Sequence, residues 1–202
     1  VITGLGAITP IGTGKGAFWD ALMEGRNGIG RITHFDPTDY TAQIAGEVKD
    51  FDPTAYIDKK ESKRMDRYAQ FAVAAAKLAI EDAKLDLDAE DHDRIGTYIG
   101  TGIGGIRTMH VSYQKLFEKG PSRISPFFIP MMIANLAAGQ VAITFKLHGP
   151  SSCIVTACAS GTNSIGDAFR LIQQGEADVM LAGGTEAAVS EAAVAGFAAM
   201  KA

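Results

Sequence analysis

The 202-residue chain reads as an α/β fold, and three stretches carry that reading. The first is P-S-S-C-I-V-T-A-C-A-S-G-T-N-S-I-G-D-A-F, from Pro150 to Phe169. Within it the run from Ser152 to Thr156 holds the β-branched Ile154, Val155 and Thr156, the pattern of a buried strand. Ile165, Ala168, Phe169 and Ile172 then recur at helical spacing. The second stretch is a strand-like run, 95–101, that ends among glycines and passes into an amphipathic run, 106–119. The third is the strand-like 178–182, which follows Gly175, a residue suited to close a helix. Strands alternating with helices define an α/β layer architecture.

The remaining elements follow in chain order. Residues 1–5 are expected to form the first strand, with Gly4 and Gly6 permitting a tight exit. Pro10 and Gly12 keep the next loop open ahead of a short helix, about 17–23, which holds the only tryptophan, Trp19; glycines from 25 to 30 break it. Residues 43–48 suit a short strand weakly. The basic run K-K-E-S-K-R-M-D-R at 59–67 leads into a long alanine-rich helix reaching about residue 84. Its Ala72, Ala75, Ala76 and Ala79 allow close packing on a sheet. A charge run is ordinarily a solvated helix start. Cations at a helix N-terminus oppose its dipole, however, which favours a binding role. Pro126 and Pro130 bracket F-F-I, so that stretch is not expected to be regular helix. Residues 131–145 read as an apolar core helix, Gly183-Gly184 ends the last strand, and 187–202 is small-residue and partly helical.

Cys158 sits at the expected strand-to-helix turn, with Ala159, Ser160 and Gly161 opening the helix behind it. Free N–H groups and the positive dipole end of a helix favour thiolate over thiol. The same N–H groups can hold the oxyanion formed when a thiolate attacks a carbonyl. Acyl transfer through a thioester on Cys158 is the leading hypothesis. Motif shape alone leaves Cys158 open between a nucleophile and a small buried hydrophobe. Cys153, inside the expected strand, reads as the latter.

Composition excludes several classes. A net charge of −4 argues against general nucleic-acid binding. Two cysteines five positions apart make neither a disulfide framework nor a metal spacing, and four scattered histidines lack the pairing of a zinc site. A reducing, cytoplasmic home is expected. The uncharged stretches 124–145 and 147–166 contain prolines and many polar residues, so no membrane span is expected. No signal peptide is evident, and because the chain opens on Val1 already in an expected strand, a few leading residues are expected to be trimmed. The segment Gly100-x-Gly102-x-x-Gly105 fits the dinucleotide fingerprint, an NAD(P)-binding oxidoreductase alternative. It lacks the acidic residue ending a second parallel strand, because Glu118 falls within the helical run 106–119. These glycines are expected instead to let backbone pass close to a neighbour or to an acyl chain.

The run T-A-C-A-S-G-T-N-S-I-G resembles the nucleophile motif of the β-ketoacyl-acyl-carrier-protein synthases, condensing enzymes of fatty acid synthesis. The likeness covers nearly the whole chain. It includes V-I-T-G-L-G at 1–6, I-G-T-G-I-G-G at 99–105, R-I-S-P-F-F-I-P at 123–130 and A-D-V-M-L-A-G-G-T-E at 177–186. Ile103 and residues 124–130 look more like the type II synthase than the type I enzyme. A polyketide-type ketosynthase domain shares the cysteine motif and is the nearest alternative. A non-catalytic chain-length factor is a further one, and the presence of Cys158 argues against it.

The resemblance implies a thiolase-like fold of two similar halves, each with a five-stranded mixed sheet flanked by helices. Residues 1–202 would be the N-terminal half. The C-terminal half would bring two histidines, a lysine and a second oxyanion N–H, which have no counterpart here. This stretch alone is therefore expected not to condense. The resemblance also implies that Cys158 is the acyl-thioester nucleophile and that its backbone N–H serves the oxyanion hole. Ile103, Phe128, Met131 and Phe197 would line the acyl pocket. Lys60, Lys63, Arg64, Arg123 and Lys201 would dock acyl- and malonyl-loaded acyl carrier protein, although Ser122 stands where the family is usually basic. No metal or organic cofactor is implied; phosphopantetheine belongs to the carrier protein. Ser152 to Thr156 matches the strand that pairs across the twofold axis of the family's homodimers.

Overall fold

A computed structural model describes residues 1–201. Fifteen main elements run in the order β1 (Ile8–Thr9), β2 (Gly12–Thr13), α1 (Lys15–Met23), β3 (Ile29–Arg31), β4 (Ile44–Gly46), α2 (Lys59–Ser62), α3 (Arg67–Ala83), β5 (Ile95–Gly100), α4 (Ile106–Lys119), α5 (Phe128–Met132), α6 (Leu136–Phe145), β6 (Ser151–Ser152), α7 (Ser160–Gln173), β7 (Val179–Gly184) and α8 (Glu191–Met200). The central sheet has three parallel strands in the order β6-β5-β7. Two small antiparallel ribbons, β1-β2 and β3-β4, stand apart from it.

The α/β class holds, but the described sheet is smaller than the five-stranded mixed sheet expected. One stretch expected as a strand is not one, and another is shortened. Residues 1–7 form no strand and run along α3 instead: Gly4 and Gly6 lie against the backbone of Ala79 and Ala75. Leu5 N–H donates to Asp82, and Val1, Ile2 and Leu5 stay exposed, so nothing offers that run a ladder. Residues 153–156 leave the sheet after the two-residue β6.

The long helix also begins later than the basic run suggested. Asp66 caps α3 by accepting from Tyr68 N–H, while Asp58 caps the separate α2 by accepting from Lys60 and Glu61 N–H. The chain breaks between the two because each start has its own carboxylate. Pro130 lies inside α5, a correction to the expectation at 126–130. In so short a helix its missing N–H falls in the first turn, where no intrahelical bond is owed. A second break at 133–135 delays α6 to Leu136.

The core gathers under α3. Tyr68, Ala69, Ala72, Val73 and Ala76 pack with Ile99 of β5 and with Ala137, Ala138 and Val141 of α6. Small residues on facing helices let α3 and α6 approach closely over the sheet. Thr97, fully buried in β5, donates to Ala138 C=O and meets Ser151 Oγ at 2.9 Å, joining α6, β5 and β6. At the opposite edge Arg94 grips Asp178 through two N–H groups and ties the start of β5 to that of β7.

Candidate active site

Three loops leave the carboxyl ends of the parallel strands and meet. They are the glycine loop after β5, the turn before α7, and the 185–190 segment after β7. Glycines make the meeting possible. Gly100 lies against the backbone of Ile154 and Ser160, and Gly161 of α7 lies against Gly184 of β7. A Cβ on Gly102 would stand 3.5 Å from Ala157 Cα. Open α/β sheets place their sites at this end of the strands.

Cys158 lies in a single 3-10 turn, Ala157–Ala159, directly ahead of α7, and it is exposed. Ala157 holds φ at +52°, the left-handed region, which costs a non-glycine residue about 1–2 kcal/mol. Ser160 fixes the turn on both flanks of the cysteine. Its Oγ accepts from Thr156 N–H at 2.9 Å and donates to Ala157 C=O at 2.6 Å. Ser164, fully buried, donates in turn to Ser160 C=O. The result is a sharp elbow whose side chain projects from the sheet end ahead of a helix N-terminus. The helix that opens behind Cys158 is as expected, whereas the strand before it is shorter than expected.

Cys153 is partly buried, and burial pushes its thiol up, with the nearby Glu186 charge adding to that effect. Its Sγ lies 3.9 Å from Ile154 C=O. It follows β6 rather than sitting within it, but remains the bland cysteine of the pair.

The glycine loop is not free for a dinucleotide. Glu186 Oε2 accepts from Gly102 N–H at 2.8 Å and from Ile103 N–H at 3.2 Å, so a carboxylate holds the amides that a phosphate would need. Gly105 N–H donates to Met132 C=O, and Gly104 and Gly105 lie against the backbone of α5 and Ala134. Ile103 thus sits between Gly102, which packs on Ala157, and Gly104 and Gly105, which pack on the backbone around Met131, while Phe128 lies one helical turn earlier on α5. Ile103 is 39 % exposed and Phe197, on α8, is 43 % exposed. Glu186 also lines a cavity of about 230 Å³ with Arg67 and Arg107, and its walls do not include Cys158.

Of the expected docking cations, Lys60 is on α2 and Lys63 follows it, both exposed. Arg64 pairs with Glu61 and lies over the Phe127 ring at 4.8 Å, which brings the segment carrying the exposed Arg123 next to α2. Lys201 closes α8, with φ at +60°. Two residues escaped sequence reasoning. Ser160 was visible only as the serine after A-C-A, and Glu186 only as the last letter of the motif at 177–186. Among the described residues no cluster of His, Cys, Asp or Glu could hold a metal ion, and no helix is long and apolar enough to cross a membrane.

Solved structures place this architecture among the ketosynthases, with their thiolase-like fold. The ishigamide ketosynthase/chain length factor superposes with TM-score 0.93 at 32% identity, covering 100% of this chain and 50% of that one. A β-ketoacyl synthase from Burkholderia phymatum STM815 gives 0.85 at 30% identity, covering 99% and 49%. The chain belongs to the β-ketoacyl synthase family, whose N-terminal domain profile matches residues 1–202. Curated relatives include a 3-oxoacyl-(acyl-carrier-protein) synthase 2 of Synechocystis sp., 56% identical over 202 residues, and one of Staphylococcus aureus, 50% identical over the same span. The chain spans about half the length of these relatives, 49% and 50%, while they cover all of it.

Proposed function

We propose that this chain is the nucleophile-bearing half of a β-ketoacyl-acyl-carrier-protein synthase of the second type, acting in fatty acid elongation. The observation that carries the proposal is Cys158, exposed on a strained elbow ahead of α7. The Cys158 thiolate attacks the carbonyl of an acyl thioester on carrier protein. The oxyanion develops toward the backbone N–H of Cys158. The C–S bond to phosphopantetheine then breaks, its sulfur takes up a proton, and the acyl group stays on Cys158. Malonyl carrier protein next loses carbon dioxide, and its carbanion attacks the new thioester to release a β-ketoacyl product. That step calls for groups that this chain does not supply, so residues 1–202 alone do not condense.

The names of relatives at 50–56% identity favour the fatty acid enzyme over a polyketide one. In this reading Ile103, Phe128, Met131 and Phe197 line the acyl site. Lys60, Lys63, Arg64, Arg123 and Lys201 meet the acidic carrier protein. No cofactor of the protein's own takes part, and a reducing cytoplasm suits a free thiol. Among the described residues β6 pairs only with β5, so its outer edge and residues 153–156 would join a second copy in a homodimer. Peptide mass spectrometry after mixing the intact protein with long-chain acyl carrier protein tests the first step. The acyl mass is expected on the Cys158 peptide, absent from Cys153 and from Cys158→Ala. An unmodified Cys158 in folded protein would overturn the reading.

A further inference from the structure

We propose that Glu186 is a positioning residue that sets the acyl-length preference at Cys158 by holding the loop that carries Ile103. The inference rests on the proposed function, since it needs Ile103 to face an acyl chain. Its structural basis is independent of that function. β5 and β7 run parallel in register with Gly100 opposite Gly184, so Gly102 and Glu186 each lie two residues beyond a paired strand end. Thr185 N–H donates to Gly100 C=O at 2.9 Å and extends the pairing one step further. Glu186 then turns one oxygen, Oε2, onto both Gly102 N–H and Ile103 N–H, across more than eighty residues of sequence.

Every amide from 102 to 105 has an acceptor. Thr101 Oγ1 takes Gly104 N–H, and Met132 C=O takes Gly105 N–H. Gly102, one of the two residues whose amides Glu186 holds, packs on Ala157, the residue before the reacting cysteine. Ile103 is too exposed for burial to fix its side chain, so its direction follows from the backbone. A carboxylate accepting two N–H groups is a charge-assisted hold on that backbone. Glu186 is itself exposed, so its replacement leaves the core intact.

The test uses the intact protein with Glu186→Ala, Glu186→Gln, Ile103→Ala and the Glu186→Ala/Ile103→Ala double variant. Single-turnover thioester formation on Cys158 is measured with short and long acyl carrier protein thioesters. Glu186→Ala is expected to raise the long-over-short rate ratio by about tenfold, the scale at which an apolar site discriminates chains. Ile103→Ala shifts it the same way, and the double variant adds nothing. Glu186→Gln keeps the wild-type ratio, because one amide oxygen can still accept both N–H groups. Equal slowing at all chain lengths, or a Gln variant that behaves like Ala, overturns the proposal and leaves the proposed function standing. If wild-type Cys158 takes no acyl group, the function fails and the length preference falls with it. Hydrogen exchange at Gly102 and Ile103 then still decides whether the brace exists, because protection lost in Glu186→Ala and kept in Glu186→Gln is the expected pattern.

Discussion

Ser160 spends one hydroxyl twice to hold the turn around Cys158, and it is only 3% exposed. Removing that oxygen leaves Thr156 N–H without its acceptor and Ala157 C=O without its donor, in a turn already strained at Ala157. Ser160→Ala is therefore expected to lower unfolding free energy by about 1–3 kcal/mol, read from urea denaturation. Thioester formation on Cys158 should slow as well. The two cysteines give a second residue-scale test. Burial raises the Cys153 thiol, so its thiolate fraction stays low near neutral pH and grows only in alkaline solution. Alkylation followed by peptide mass spectrometry should label Cys158 first, with Cys153 reacting as pH climbs. Cys153 labelled first at neutral pH would contradict the assignment. The helix behind the cysteine was legible from its apolar period, whereas the β-branched Ile154, Val155 and Thr156 misled, because they lie beyond the two-residue β6. Ser160's part was not legible, because it depends on the left-handed φ of Ala157, which an alanine does not announce.

Elements whose cause is local were legible, and those decided by a distant partner were not. Helix α4 runs over the expected 106–119 because its apolar period is continuous and Gly105 and Gly120 bound it. The 59–67 run misled because composition hides which aspartate caps which helix. Asp66 serves α3 through Oδ1 and also accepts Thr108 N–H and Oγ1 through Oδ2, tying the starts of α3 and α4 together. His92 shows the same non-local logic. Nδ1 lies 2.7 Å from Lys146 C=O and Nε2 lies 2.8 Å from Leu87 C=O, so both ring nitrogens meet acceptors. The bond to Lys146 C=O, then that to Leu87 C=O, raise its pKa above the ordinary 6.5. The protonated ring is the one that can donate twice. Its stabilisation is complete below pH 6.5 and is lost as pH rises through the raised native value. Thermal unfolding of wild type and His92→Asn at pH 5.5 and 8.5 checks the sign: the gap in Tm between them should be wider at the lower pH.

Across the whole molecule, the site exists because α7 comes down onto the sheet end without side chains between them. A strand's existence, its partners and its neighbours' distance are properties of the assembled chain. Residues 1–5 therefore looked like a strand and became a segment beside α3, while the two adjacent glycines expected to end β7 instead complete it. Those glycines separate close approach from mere backbone freedom. A Cβ at Gly184 would stand 2.8 Å from Gly161 Cα and 3.2 Å from Gly161 N, backbone atoms that move only if α7 moves. A Cβ at Gly183 would meet nothing within 4 Å. Neither glycine holds a positive φ, so alanine strains neither backbone. Gly184→Ala should cost about 1–3 kcal/mol in unfolding free energy through overpacking. It should also slow acylation of Cys158, three residues from Gly161, by pushing the elbow off the sheet. Gly183→Ala should match wild type in both measurements. If the two variants acylate alike, the elbow is held by its own turn and Ser160 alone. If only Gly184→Ala is slow, the contact between strand end and helix start is what places the thiol.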